Sequence, residues 1–176
     1  LAMESLEKLG GKTWFNLGDR DLATHLYRTD RLSEGAGLKE ITAEITSAMG
    51  ISVNLLPMTE DRLETMVTLL ESDDEISFQE YFVKHHHDVS VSSVRFKGSA
   101  EAKATSGVVD VIENAEIVII APSNPIVSIA PIFSITQISD AVKARKEDVV
   151  AVSPIVAGAA LKGPADRLLN ELGHEA

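Results

Sequence analysis

The sequence contains no cysteine, and it has few basic residues for its length, 16 against 27 acidic ones. Without cysteine there are no disulfides, thiolate metal sites or cysteine nucleophiles, which is compatible with a reducing cytoplasm. The net charge of −11 argues against nucleic acid or an anionic membrane as the main partner. Long apolar runs are also missing: none approaches the roughly 20 residues of a membrane span, and no signal peptide is visible. We expect a cytoplasmic protein with no nucleic-acid or membrane partner.

The 176 residues can bury a core and predict a single α/β domain. We divide it into βα units (1–50), an antiparallel β-rich insertion (51–100), and a βαβ unit with strand-end ligand loops (101–176). Residues 1–11 are typical of the second half of an amphipathic helix closed by glycine, with no initiator Met or cap before it. We therefore expect the chain to begin inside a larger protein; the alternative is a complete small protein with a short leading helix.

A strand predicted at residues 13–17 leads into Gly18 and then a helix capped by Asp19 or Asp21, with Leu22, Leu26 and Thr29 facing inward. Polar side chains crowd this turn: Asn16, Asp19, Arg20, Asp21, Thr24 and His25. They indicate either a ligand or metal site or an ordinary capped helix with a solvated face. A second helix is predicted from Leu38 to Gly50, after a break at Gly35 and Gly37.

Residues 51–97 change period and predict strands. Residues 51–55 alternate, and β-rich runs follow at 65–70, 76–84 and 89–97, with a hairpin turn at 72–75. Alternation across 78–82 places Phe78 and Phe82 on one face and Tyr81 on the other. These aromatics indicate either core packing or a flank for a planar ligand or partner subunit. The three histidines 85–87 cannot converge on one ion from a strand, so they predict a solvated strand end.

Two apolar runs, 116–120 and 148–152, predict strands buried on both faces. A helix starting at Ser106 and Gly107 precedes the first run, and a helix capped by Ser139 precedes the second. The crossover makes the two strands parallel neighbours. Their carboxyl ends then lie side by side, where open α/β sheets bind ligands. One end carries Pro122-Ser123-Asn124-Pro125 and the other Ser153-Pro154-Ile155.

The segment after the second strand combines Gly158, Lys162 and Gly163 with a helix predicted to start at Pro164. Glycines, a lysine and a helix N-terminus suit a phosphate or diphosphate. The alternative is a plain loop with Lys162 in solvent. No Walker or Rossmann glycine fingerprint is present in this stretch.

Three motifs in this order resemble one family, the 2-phospho-L-lactate transferases of deazaflavin coenzyme (factor 420) biosynthesis. They are WFNLGDRDLATH at 14–25, APSNPIVSI at 121–129, and SPIV at 153–156 running to KGPA at 162–165. LLPMT at 55–59 and FQEYFV at 78–83 fit the same family. The resemblance covers essentially the whole chain.

The resemblance implies a Rossmann-like homodimeric enzyme that uses magnesium. Such enzymes move a phospholactyl or phosphoenolpyruvyl group from a guanosine diphosphate-linked donor to the terminal hydroxyl of a deazaflavin alcohol, releasing GMP. It also implies a deazaflavin side of the cleft and a side for the phosphates and nucleotide. The first comprises Asn16, Gly18, Asp19, Arg20 and Asp21; the second comprises Ser123, Asn124, Ser153 and the loop from Gly158 to Gly163, which includes Lys162. Thr24, His25, Pro125 and Pro154 are further substrate-binding residues that the resemblance implies.

The sequence departs from the family pattern in places. A glycine-rich first βα turn and a metal-holding aspartate segment are not found, so we expect the metal ligands outside these residues and little activity from residues 1–176 alone. Ala130 stands where glycine is usual, and Ala159 where lysine is frequent. No catalytic residue is assigned. Two other hypotheses remain: a non-enzymatic nucleotide-sugar-binding regulator of the same superfamily, whose members differ at 18–25, and an acidic α/β domain without a ligand.

Overall fold

A computed structural model describes residues 2–161 and 163–174. The chain folds into helices and short strands. They form an N-terminal unit that ends at Glu60 and a second unit that begins at Asp61. A parallel strand pair and an antiparallel sheet confirm the predicted α/β class with an antiparallel β-rich segment. The division at residues 50 and 100 stays a prediction.

The described N-terminal unit holds helices α1 (Ala2–Lys8), α2 (Asp19–Ser33) and α3 (Leu38–Ala48). The strand predicted at 13–17 is wrong, because these residues form an irregular turn. The alternation at 51–55 forms no strand either, and its apolar side chains are largely exposed. A strand needs a partner for its backbone hydrogen bonds, and the described part of this unit supplies none.

Helix α2 begins where predicted but with a different cap and buried face. Gly18 is the N-cap, so the predicted acidic cap is wrong; Asp19 and Asp21 lie in the first turn, where negative charge is favourable. Leu22 is half-buried, whereas Leu26 and Thr29 are exposed. The predicted inward face is wrong at these two positions because α2 meets α3 through Tyr27 and Arg31.

Helix α3 runs between the predicted glycines, with Ile41 fully buried. Its N-terminus holds the carboxylate of Glu60, whose Oε1 accepts a hydrogen bond from the Lys39 N–H at 3.1 Å. A Cβ on Gly37 would stand 2.5 Å from that oxygen. Glycine therefore makes room for this carboxylate.

The second unit starts with an antiparallel sheet in the order β2-β1-β3. Its strands are β1 (Glu64–Leu69), β2 (Glu75–Ser77) and β3 (Val91–Lys97). Val67 at the centre of β1 lies opposite Ile76 and Val94. Strands at 65–70 and 89–97 and the hairpin turn between β1 and β2 are confirmed.

The run 76–84 is a strand only as far as Ser77. The Ser77 hydroxyl accepts a hydrogen bond from the Glu80 N–H at 3.2 Å, and a π-helical turn, Glu80–Lys84, follows. The predicted alternation across 78–82 is therefore wrong. Phe78 and Phe82, four residues apart, contact each other, while Tyr81 is completely buried.

The three histidines form a tight turn after this π turn. His86 and His87 have φ angles of +50° and +49°, which are uncommon for residues other than glycine. The His87 N–H donates to the Tyr81 carbonyl at 3.0 Å. The predicted strand end is wrong, because the chain must reverse here before it enters β3.

Strand β4 (Val118–Ile120) follows helix α4 (Val108–Asn114) and pairs in parallel with β5 (Val149–Ala151). Val118 lies opposite Val149, so the predicted parallel adjacency is confirmed. Burial on both faces is wrong: Ile119 is 67% exposed. In the described residues this sheet has only two strands, so part of its surface lacks a covering layer.

The crossover from β4 to β5 comprises a π-helical turn (Pro125–Ile129), α5 (Ala130–Phe133), α6 (Thr136–Ala144) and a 3₁₀ turn (Lys146–Asp148). Ile135 is the N-cap of α6, so the cap predicted at Ser139 is wrong. The helix begins one turn earlier because Ile138 and Ala141 provide its buried side.

The last elements are a two-stranded hairpin, β6 (Ile155–Val156) with β7 (Ala159–Ala160), and helix α7 (Ala165–Glu171). Pro164 is the N-cap of α7 and not its first helical residue. Leu168 of α7 completes a buried cluster with Val67, Tyr81 and Val91. This cluster fixes α7 against the antiparallel sheet.

Within the described residues no single helix is long and apolar enough to cross a membrane. One pair, Pro125–Phe133 with Thr136–Ala144, meets the length and composition requirement together but bends by 91°.

Candidate functional site

The carboxyl ends of β4 and β5 lie side by side. The Val152 N–H donates to the Ile120 carbonyl at 3.1 Å, which extends the parallel pairing to the last residue of β4. The two polar loops predicted to share this sheet edge therefore start from adjacent points.

A cavity of about 500 Å³ opens at this edge. Its wall combines residues from segment 78–82, from the loop and π-helical turn after β4, from the loop after β5, and from the described residues between β7 and the start of α7. They are Phe78, Phe82, Pro122, Ser123, Asn124, Val127, Ser128, Pro154, Leu161, Gly163, Pro164 and Ala165. Small-molecule sites are commonly ~300–1,000 Å³, mostly apolar, with a few polar groups that orient the ligand. This cavity has that size and composition, and it brings together the predicted residues Ser123, Asn124, Pro154 and Gly163.

Asn124 shapes the cavity as well as lining it. Its Oδ1 accepts hydrogen bonds from the N–H groups of Ile126 at 2.9 Å and Val127 at 3.2 Å, which caps the π-helical turn that Pro125 begins. With Oδ1 committed to the backbone, the Nδ2 group remains as a donor for a ligand. The rigid polar turn predicted at 122–125 has this local cause.

Two other predicted residues of this region, Ser153 and Gly158, stabilise local turns of the backbone. The Ser153 hydroxyl accepts from the Ile155 N–H at 3.0 Å, and Ser153 does not line the cavity. Gly158 lies in the turn between β6 and β7 with φ +79°, next to Ala157 at +53°. Two successive positive φ angles are the geometry of a two-residue hairpin. Lys162 lies outside the described residues.

The cavity has an aromatic wall formed by Phe78 and Phe82, for which a flank to a planar ligand was one of the alternative predictions. The ring centroids of Phe78 and Phe82 are 5.5 Å apart, and those of Phe82 and His87 are 5.1 Å apart. Tyr81, on the same turn, packs inward, and burial raises the pKa of its hydroxyl. The spacing of Phe78 and Phe82, i and i+4, was the available signal, since it is a helical contact spacing.

Arg167 and Glu171 of α7 fix the segment behind this aromatic wall. Arg167 donates through Nη1 to the His87 carbonyl at 2.7 Å and through Nη2 to the Val89 carbonyl at 2.8 Å. Its Nε bonds Glu171 Oε1 at 2.7 Å, and Glu171 Oε2 accepts from the Val91 N–H at 3.0 Å. Helix α7 thereby holds the turn that carries the aromatic rings.

The predicted substrate-binding residues Asn16, Gly18, Asp19, Arg20, Asp21, Thr24 and His25 lie in the N-terminal unit. Asn16 and Gly18 precede α2, and the others occupy its first two turns. Thr24 Oγ1 donates to the Arg20 carbonyl at 3.1 Å, and His25 Nδ1 lies 2.7 Å from Arg28 Nη2. A joint site with Ser123 and Asn124 stays a prediction.

A smaller cavity of about 300 Å³ lies between α2 and α3, lined by Thr24, Tyr27 and Glu44 among others. Tyr27 Oη donates to Glu44 Oε2 at 2.8 Å, and Arg31 bonds both oxygens of the same carboxylate. The hydrogen bonds from Arg31 and Tyr27 lower the pKa of Glu44 below its usual value. Because every strong polar group here already has a partner, this network serves to join the two helices.

The family model of 2-phospho-L-lactate transferase CofD matches residues 2–176. The chain belongs to this family. The resemblance found in the three motifs is therefore confirmed. The family is one of transferase enzymes.

Individual relatives agree. A protein named phosphoenolpyruvate transferase from Kitasatospora aureofaciens is 40% identical over 168 residues, which cover 94% of this chain and 52% of the relative. One of the same name from Mycolicibacterium smegmatis is 41% identical over 166 residues, 92% of this chain and 51% of the relative. The chain spans about half the length of the curated relatives it matches.

Among solved structures, a protein of the upf0052 family from Bacillus halodurans superposes with a TM-score of 0.54 at 14% identity. The match covers 67% of this chain and 37% of that one. This likeness supports the α/β fold.

The magnesium that the family resemblance implies has no obvious site here. The described residues bring no three His, Cys, Asp or Glu side chains together in a metal-binding group. Asp19 and Asp21 are two positions apart on a helix, so their side chains do not face each other. The magnesium requirement stays a prediction.

Proposed function

We propose that the native protein containing this sequence transfers a phosphoenolpyruvyl or phospholactyl group to a deazaflavin alcohol in coenzyme factor 420 biosynthesis. Family membership over residues 2–176 carries this proposal. The names of the 40–41% identical relatives support phosphoenolpyruvate as the three-carbon unit. The donor is a guanosine diphosphate-linked compound, and GMP is the leaving group.

In this reaction the terminal hydroxyl of the deazaflavin alcohol attacks the phosphorus that bears the three-carbon group. The new bond joins the acceptor oxygen to that phosphorus, and the bond to the bridging oxygen breaks. GMP leaves with that oxygen, and the hydroxyl proton passes to a base. Such a transfer depends mainly on alignment and on charge stabilisation.

The cavity at the ends of β4 and β5 is suited to holding one of the two substrates in the orientation that this transfer needs. Ser123, Asn124 and Ser128 supply neutral polar groups at one part of its wall, and the rest is largely apolar. We propose that Ser123, Asn124 and Gly163 bind the donor, and that the segment from Asn16 to His25 binds the acceptor. We further propose a cytoplasmic homodimer that requires Mg²⁺.

The test is to incubate the native protein, at its full length, with the deazaflavin alcohol, magnesium and each guanylylated three-carbon donor. We expect GMP and the phosphorylated deazaflavin in equal amounts, measured by chromatography. Formation of neither product with any donor would contradict the proposal.

A nucleotide-sugar-binding regulator is the alternative. Thermal melting separates the two: a regulator should gain stability with a uridine diphosphate sugar and not with deazaflavin, because a ligand that binds only the folded state stabilises it. The transferase should show the reverse.

A further inference from the structure

We propose that Phe78 and Phe82 form a stacking subsite for the planar heteroaromatic ring of one substrate in the cavity at the ends of β4 and β5. The inference rests on the proposed function, which has two substrates with such rings, a guanine and a deazaflavin. The chemistry of the subsite is common to both, so the experiment decides between them.

The first observation is the character of the wall. Among the described lining residues no side chain carries a charge, and the two phenylalanines are the bulkiest side chains. The face of a phenylalanine ring offers no partner for a charged phosphate, whereas the face of a planar ring can pack favourably on it. The aromatic part of the wall therefore suits the ring and not the phosphates.

The second observation is the arrangement of the rings. Phe78 and Phe82 lie 5.5 Å apart with 34° between their planes, within the range of attractive aromatic pairs. The ring centroid of His87 lies 5.1 Å from that of Phe82. Phe82 nevertheless keeps 39% of its surface exposed, so ring surface remains available beside the cavity.

The third observation is how the wall is held. Tyr81 anchors the π turn in the buried cluster, and Arg167 bonds the carbonyl groups that follow it. Single π-helical turns often occur at functional sites. The rings are thus presented on a supported turn, which reduces the entropy lost when a ligand stacks on them.

The fourth observation is the position of the polar groups. Ser123 and Asn124 line the same cavity from the end of β4. They provide hydrogen-bond donors for hydroxyl or phosphate oxygens attached to a ring. The same cavity therefore offers aromatic surface for a planar ring and polar groups for its extension.

The experiment uses the native protein at full length and the variants Phe78→Leu and Phe82→Leu, which keep apolar bulk but remove the rings. Phe96→Leu is the matched control, because Phe96 lies in β3 and does not line the cavity. Affinities for the deazaflavin alcohol, guanosine diphosphate and pyrophosphate are measured by fluorescence titration and calorimetry, with turnover measured in parallel.

We expect each cavity variant to weaken binding of a ring-bearing ligand by about tenfold, the scale of one stacking contact. Pyrophosphate binding and the Phe96→Leu variant should be unaffected. A loss confined to deazaflavin identifies its ring as the occupant, a loss confined to guanosine diphosphate identifies guanine, and a loss for both identifies a shared ring site.

The inference would be overturned if both cavity variants bound both ring ligands as tightly as the wild-type protein does. The inference would also be overturned if the wild-type protein bound neither ring ligand. The same holds if pyrophosphate affinity fell as much as ring-ligand affinity in the cavity variants, or if Phe96→Leu lost as much ring-ligand affinity as they do. If the variants lose ring binding while the wild-type protein forms no GMP, the stacking subsite stands and the proposed function fails.

Discussion

Two of the sheets in the second unit, β2-β1-β3 and β4-β5, differ in how far they bury their apolar side chains. The antiparallel sheet buries Val67 and Val91 almost completely against Tyr81 and Leu168. The parallel pair leaves Ile119 67% and Val150 50% exposed, although its sequence is the more continuously apolar. Burial therefore follows from the neighbouring elements more than from the composition of the strand, and the first sheet should carry most of the stability.

The largest expected effect is at the centre of the antiparallel sheet's core. Leu168→Ala removes a fully buried side chain and should lower the free energy of unfolding by about 3 kcal/mol, since it leaves a cavity. Leu70→Ala is the control, because Leu70 is 59% exposed. Denaturant titration measures both. Equal losses for the two variants would contradict the contrast.

A matched pair of valines tests the comparison directly. Val67→Ala in β1 should cost about 2 kcal/mol, whereas Val150→Ala in β5 should cost about 0.5 kcal/mol, because only Val67 has no exposed surface. Both residues are central in their strands, so strand propensity largely cancels. A larger loss at Val150, by the same titration, would show that β5 is covered in the native protein.

A smaller effect is expected at the Tyr81 hydroxyl, which is buried without a hydrogen-bond partner among the described residues. Tyr81→Phe should leave stability unchanged or raise it by up to about 1 kcal/mol, because an unpaired buried polar group is removed. Tyr27→Phe is the control and should lower stability, since it breaks the bond to Glu44. A loss at Tyr81 would indicate a buried water bound to its hydroxyl.

The smallest effect concerns the surface of the antiparallel sheet. Arg95 bonds the Glu75 carboxylate, with Nη2 to Oε2 at 2.6 Å, and holds the pKa of Glu75 below its ordinary 4.5. A lowered folded-state pKa contributes stability above pH 4.5 that is lost as the pH falls through the folded value. The stability difference between wild type and Glu75→Gln should therefore shrink on acidification. It should also vanish at neutral pH in an Arg95→Gln background; a difference that persists there would contradict the pairing.

Much of the chain could be predicted where local chemistry decides the outcome. The glycines at 37, 50 and 107 delimit helices, and two apolar runs separated by a crossover gave the parallel pair. The same reasoning brought Ser123, Asn124, Pro154 and Gly163 to one cavity. These predictions succeeded because turn residues and the order of strands and helices can be recognised from short stretches of sequence.

The failures occur where one hydrogen bond or one neighbouring element changes the result. Alternation at 78–82 indicated a strand, but the bond between Ser77 and Glu80 starts a helical turn, so the local structure that carries the aromatic residues was predicted wrongly. The exposure of Ile119 depends on what covers the sheet, and strand composition carries no information about that. The π turn is therefore the part of the site that only the structure could supply.

The bonds from Arg167 to His87 and Val89 have a consequence for how ligand occupancy could be observed. Ala165 lines the cavity two residues before Arg167, and Leu168 follows in the buried cluster. We therefore expect a ring bound against Phe82 to reduce the opening of α7. Slower hydrogen exchange of the Leu168 amide should therefore report a filled cavity, although Leu168 does not itself line that cavity.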